Sequence, residues 1–102
     1  MSIEYQFDQS NSELLMLMDE RFEFDNCGEF RSVYESVREK DIHNITVNFS
    51  HTRYIDSSAL GMMINMKRFY SSQGVEIRLI NCSDQIRRIF KVSHFDKQFD
   101  IS

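Results

Sequence analysis

"NITVNFSHTRYIDSSALGMMINMKRFY", residues 44–70, is the stretch on which the fold turns. Ile45, Val47 and Phe49 alternate with polar residues, the period-two pattern of a strand with one buried face (Asn44–Ser50). "HTRYID" (51–56) is a polar loop, and from Ser57 or Ser58 to Tyr70 apolar residues recur at helical spacing. A strand that runs through a short loop into a helix is one half of a strand–helix–strand crossover.

The flanking segments extend that pattern. "SSQG" closes the helix, with Gly74 free to take a left-handed turn. "VEIRLIN" is a further strand, with Val75, Ile77 and Leu79 alternating. Ser83 or Asp84 caps a third helix containing Ile86, Ile89, Phe90 and Val92, and "HFDKQFDIS" is a short tail with room for one edge strand. Before the quoted stretch, "SIEYQFD" alternates Ile3, Tyr5 and Phe7, "QSNSE" turns, and "LLMLM" returns, giving a hairpin from Ile3 to Met18. Asn26 or Asp25 caps a first helix with Phe30, Val33, Tyr34 and Val37 on its apolar side. Glu29 in its first turn and Arg38 and Lys40 in its last have the charge order that a helix dipole favours. The expected fold class is α/β, one domain over residues 1–102, with a mixed, mainly parallel sheet of four to five strands and about three helices.

Composition narrows the function. The 102 residues are 41% hydrophobic and 27% charged, with a net charge of −4. An acidic chain is a poor platform for nucleic acid, which demands concentrated positive charge, and a poor match for anionic lipid. No run approaches the roughly 20 apolar residues of a membrane helix, and "MSIEYQFDQS" has no signal-peptide pattern. The expected location is cytoplasmic. Cys27 and Cys82 match no metal or redox spacing and read as two free thiols, and His43, His51 and His94 form no metal-ligand pair. No glycine-rich phosphate loop is present. Neither a metal nor a cofactor is expected. Ser57 is not in a Gly-x-Ser-x-Gly elbow, so the chain is not expected to be an enzyme.

Asp56, Ser57 and Ser58 sit where the chain enters the helix. Asp and Ser are the preferred N-caps of any helix, and a phosphate on a serine there would also be stabilised by the exposed N–H groups. The helix carries apolar residues around roughly 220° of its circumference, more than one core-facing stripe requires. Ala59, Met62, Met66 and Phe69 form one stripe, which either packs in the core or meets a partner. Gly61 costs about 1 kcal/mol relative to alanine inside a helix, explained either by close approach of another backbone or by tolerance near a helix end. Arg87, Arg88 and Lys91 in "QIRRIFK" form a basic patch, either solvated or facing an acidic partner.

The run Ile55-Asp56-Ser57-Ser58-Ala59-Leu60-Gly61, preceded by "DIHNITVNFSHTRY" and followed by "GVEIRLINCSDQIRRIFKVSHFDKQFDI", resembles the STAS domain of bacterial anti-sigma factor antagonists. The resemblance spans residues 3–101. Ala59 replaces the family's usual glycine, and with the Phe-Glu-Phe of residues 22–24 this is similar to stand-alone members governing biofilm and motility, the HsbA- and SypA-like proteins. The resemblance implies that Ser57 accepts phosphate from a serine kinase that is itself an anti-sigma factor-like partner. A serine phosphatase removes the phosphate, and another regulatory effector can stand in for the anti-sigma factor. By the resemblance Asp56 and Ser58 would support the phosphosite; from the helical spacing and the glycine, Ala59, Gly61, Met62 and Met66 are expected to contact the partner. The competing expectation is a constitutive STAS adaptor in a transport or stress complex, in which Ser57 is only a cap.

Overall fold

A computed structural model describes residues 3–102; Met1 and Ser2, which open the expected domain, lie outside the described residues. The chain runs β1 (Glu4–Asp8), β2 (Glu13–Leu17), β3 (Arg21–Phe22), α1 (Phe24–Ser36), β4 (Asn44–Asn48), β5 (Tyr54–Ile55), α2 (Ser57–Phe69), β6 (Glu76–Ile80), α3 (Asp84–Val92) and β7 (Asp100–Ile101). The main sheet has the order β1-β2-β4-β6-β7. Only the β1–β2 hairpin is antiparallel, because a four-residue turn reverses the chain there. β2–β4, β4–β6 and β6–β7 are parallel, as helical crossovers require. The α/β class, the mixed sheet and its five strands agree with the expectation from sequence.

The sheet is buried on one face. Leu14 and Met16 of β2, Ile45 and Val47 of β4 and Leu79 of β6 are at most 1% exposed, and the strand registers place them side by side. They belong to one core with Phe30, Val33 and Tyr34 of α1, Met63 and Met66 of α2 and Ile86 and Phe90 of α3. The opposite face is polar at its centre, where Glu13 accepts hydrogen bonds from Thr46 and Arg78 across three strands.

Local details differ from the sequence reading in physically simple ways. α1 starts earlier than expected: its N-cap is Glu23, not Asn26 or Asp25. Asn26 is instead the third helical residue, and its side-chain oxygen accepts from the Glu23 N–H at 3.0 Å. The helix ends at Ser36, so Arg38 and Lys40 fall beyond its last turn, and the acid in its first turn is Asp25. Segments 18–23 and 51–56 are not plain loops. They pair as a second, two-stranded parallel sheet, Arg21 beside Tyr54 and Phe22 beside Ile55. Val92, the last residue of α3, is 74% exposed. Gly74 does take the left-handed conformation, at φ 65°. Both cysteines are free, as expected.

Candidate functional site: the start of the second helix

Three backbone segments converge on Asp56. Its N–H donates to the Phe22 carbonyl at 3.2 Å, which continues the small β3–β5 sheet. Its Oδ1 accepts from the Ala59 N–H at 2.9 Å and caps α2. Its Oδ2 accepts from the Phe24 N–H at 3.1 Å, in the first turn of α1. One carboxylate therefore serves the N-termini of two helices, whose partial positive charges favour an anion at this point. The loop before it is pinned as well. Thr52, 3% exposed, donates its hydroxyl to the Asp19 carbonyl at 2.8 Å, and the Arg53 N–H donates to Glu20 at the same distance.

Ser57 is the first helical residue, next to the cap rather than the cap itself. Its side chain is exposed, and among the described residues it forms no hydrogen bond; Ser58 is half-buried. None of His43, His51 and His94 hydrogen-bonds to either serine, and Asp56 spends both oxygens on backbone N–H groups. The hydroxyl can accept a group delivered from outside; among the described residues no base is hydrogen-bonded to it, as an activated nucleophile requires. The nearby Cys27 thiol is pushed above its ordinary pKa by burial and by the Asp56 charge, so it stays protonated. Among the described residues no His, Cys, Asp and Glu cluster could hold a metal ion.

The expected partner stripe divides. Ala59 and Met66 are fully buried, which corrects the expectation that they face a partner. Their side of α2 packs against α1: Tyr34 donates its hydroxyl to the Met62 sulfur at 3.9 Å, and its ring meets those of Phe69 and Tyr70 at 5.4 and 6.4 Å. Met62 is half-buried, whereas Gly61 is exposed, one turn from Ser57. A Cβ built on Gly61 would meet nothing within 4 Å, so packing inside this chain gives no reason for the glycine.

Three surface residues went unnoticed in the sequence. Phe24, whose N–H is held by Asp56, leaves its ring 72% exposed, and Tyr54, two residues before Asp56, is 41% exposed. The Arg21 guanidinium lies 4.3 Å over the Tyr54 ring and pairs with Glu23 at 2.9 Å, holding the ring in place. The available signal was Phe22-Glu23-Phe24. Residues two apart share one face of an extended chain, but α1 begins at Phe24, so only Phe22 stays in the strand and in the core.

This arrangement is that of a known family. Residues 5–102 match the STAS domain model, and the chain belongs to that family. A STAS-domain containing protein of Pseudomonas aeruginosa (strain UCBPP-PA14) is 34% identical over 90 residues, covering 88% of each chain. The anti-sigma-B factor antagonist of Staphylococcus aureus (strain NCTC 8325 / PS 47) is 26% identical over 65 residues, covering 64% of this chain and 60% of its own. The structure of the anti-sigma factor antagonist SpoIIAA in its unphosphorylated form superposes with a TM-score of 0.78 at 14% identity, over 99% of this chain and 87% of that one. The fold is that of the anti-sigma factor antagonists. Among the described residues no helix is long and apolar enough to cross a membrane.

Proposed function

We propose that this chain is a phosphorylation-switched binding module of a bacterial partner-switching pathway, with Ser57 as the phosphate acceptor. The observation that carries the reading is the division of labour at the helix start: Asp56 makes the cap, and the Ser57 hydroxyl is exposed and unbonded. Among the described residues no hydrogen bond of the Ser57 side chain accounts for the residue. The antagonist relatives favour an anti-sigma factor-like serine kinase as the donor and binding partner, and a serine phosphatase as the enzyme that resets the site. The output is another regulatory effector or the anti-sigma factor itself. In this reading the chain binds rather than catalyses.

The switch follows from charge. Phosphoserine carries about −1.5 to −2 charges at neutral pH. At the start of α2 the fold tolerates them, because they sit against unpaired N–H groups. A partner shaped around a neutral hydroxyl must desolvate them, and it is released. The rings of Phe24 and Tyr54, with Gly61 and Met62 on α2, supply the contact surface around the hydroxyl.

The test is intact-mass analysis and site mapping on protein isolated from its own host, repeated on Ser57→Ala. The expected result is one phosphate on Ser57, absent from the variant, with partner affinity reduced by phosphate and by Ser57→Asp. Labelling that persists on Ser58 in Ser57→Ala, or equal partner affinity with and without the phosphate, would overturn the reading.

A further inference from the structure

We infer that the outer face of α3 is a second docking surface, separate from Ser57, for an acidic element of a partner protein. Ile86 and Phe90 of this helix are fully buried. On the opposite side Arg87, Arg88, Lys91 and Val92 are exposed within little more than one turn, with Asp84 as the accompanying acid. Val92 is 74% exposed, the most exposed large hydrophobic among the described residues.

Two observations set this face apart from an ordinary solvated helix. The first is charge. The chain is net −4, yet this face is net positive. Three arginines elsewhere find carboxylates, Arg21 with Glu23, Arg31 with Glu35 and Arg78 with Glu13, while among the described residues Arg38, Arg53 and Arg68 pair with no carboxylate; this face gathers three cations within five positions. Among the described residues Arg87, Arg88 and Lys91 pair with none, although Asp84 is three, four and seven positions away. The second is Val92, which stands three and four residues from Ile89 and Arg88 and puts an apolar contact beside the cations. A β-branched residue is a middling helix former, so helix propensity does not account for it.

The dimensions favour a protein partner. Nine helical residues span about 13 Å, enough for one or two turns of an acidic helix but for only a few phosphates of a nucleic acid. A longer polyanion, or an anionic membrane, would run onto the acidic remainder of the surface. Carboxylates three and four positions apart on a partner helix match the spacing of Arg87, Arg88 and Lys91, and one apolar side chain among them covers Val92.

The probe is a blocked 14-residue helical peptide with glutamates three and four apart on one face and a single leucine among them. It is titrated into the full chain and followed by backbone amide shifts. The expected result is saturable binding with shifts confined to α3, weakened by salt and unchanged in Ser57→Asp. The paired reversal Arg88→Glu with Lys91→Glu, at exposed positions, should weaken the peptide at least about tenfold. A lysine-for-glutamate peptide should restore binding to that variant. Shifts centred elsewhere, equal affinity for the reversed variant, or failure of the charge-swapped peptide to bind it would overturn the proposal. So would tighter binding of heparin or phosphatidylserine vesicles at physiological salt. Because the readout does not involve phosphate, loss of the Ser57 switch and loss of this site are separately visible.

Discussion

Asp56 has two oxygens and gives one to each helix. Asparagine caps α2 as well as aspartate does, but it offers a single acceptor oxygen and turns an N–H donor toward the Phe24 N–H. Asp56→Asn is therefore expected to lower stability by about 1–2 kcal/mol, through the start of α1 rather than α2. The measurement is urea unfolding, with amide exchange at Phe24 and Ala59 to locate the loss. Ser57→Ala, which removes no hydrogen bond, should leave the urea midpoint within experimental error of the parent. A midpoint drop in Ser57→Ala as large as that in Asp56→Asn would show that the hydroxyl shares the cap. The residue types at this junction were readable from the sequence. Which of them capped was not, because Asp and Ser are near-equal caps and only the chain path in space chooses.

On the scale of an element, α2 shows why a wide apolar arc is ambiguous. Its arc is divided between a fully buried side, Ala59, Met63 and Met66, and half-buried flanks, Leu60, Met62 and Ile64. Met66→Ala should cost about 2–5 kcal/mol, the ordinary range for emptying a core methionine site. Gly61→Ala should do the opposite and raise stability by up to about 1 kcal/mol, since the new methyl group meets nothing and alanine is the better helix former. The informative comparison is between unfolding curves and partner titration for the two variants. If Gly61 is there to let a partner approach closely, Gly61→Ala gains stability and loses affinity. A variant that gains stability and binds normally would remove Gly61 from the contact surface. Periodicity located this helix to within a residue of its observed ends, but it could not say which part of the arc α1 would cover.

For the whole molecule, the packing of α1 on α2 buries a phenol. Tyr70 is 1% exposed and donates its hydroxyl to the Tyr34 carbonyl. Burial, with the nearby Glu35 charge, pushes its pKa from 10.0 up to about 12. In the unfolded chain the phenol ionises near its ordinary value, so between pH 10 and about 12 the unfolded state holds fewer protons than the native state. Stability from this group is complete below pH 10 and is lost as pH rises toward 12. Tyr70→Phe should be less stable than the parent near neutrality, because the Tyr34 carbonyl loses its donor. It should also lose less stability on going into alkali. Urea midpoints of the two proteins across that pH window make the check. An equally steep alkaline decline in both would mean that Tyr70 is not the group responsible.

Alternation in residues 45–49 and 75–79, helical spacing in 57–70 and the order of the segments were enough for a mixed α/β sheet, because each depends on neighbours a few residues apart. The Asp-Ser-Ser junction was legible for the same reason. The small β3–β5 sheet was not: two-residue strands have no periodicity, and Arg21 meets Tyr54 only because the main sheet brings segments 33 residues apart together. The exposure of Phe24 and Val92 and the burial of Ala59 and Met66 belong to the same class. Each follows from which helix lies against which, and that is settled by the packing of distant segments. The sequence determined that a serine would stand at the head of an apolar helix. The tertiary structure decided that Asp56 would do the capping and leave that serine free, since the second half of its hydrogen bonding comes from a helix that begins 32 residues earlier.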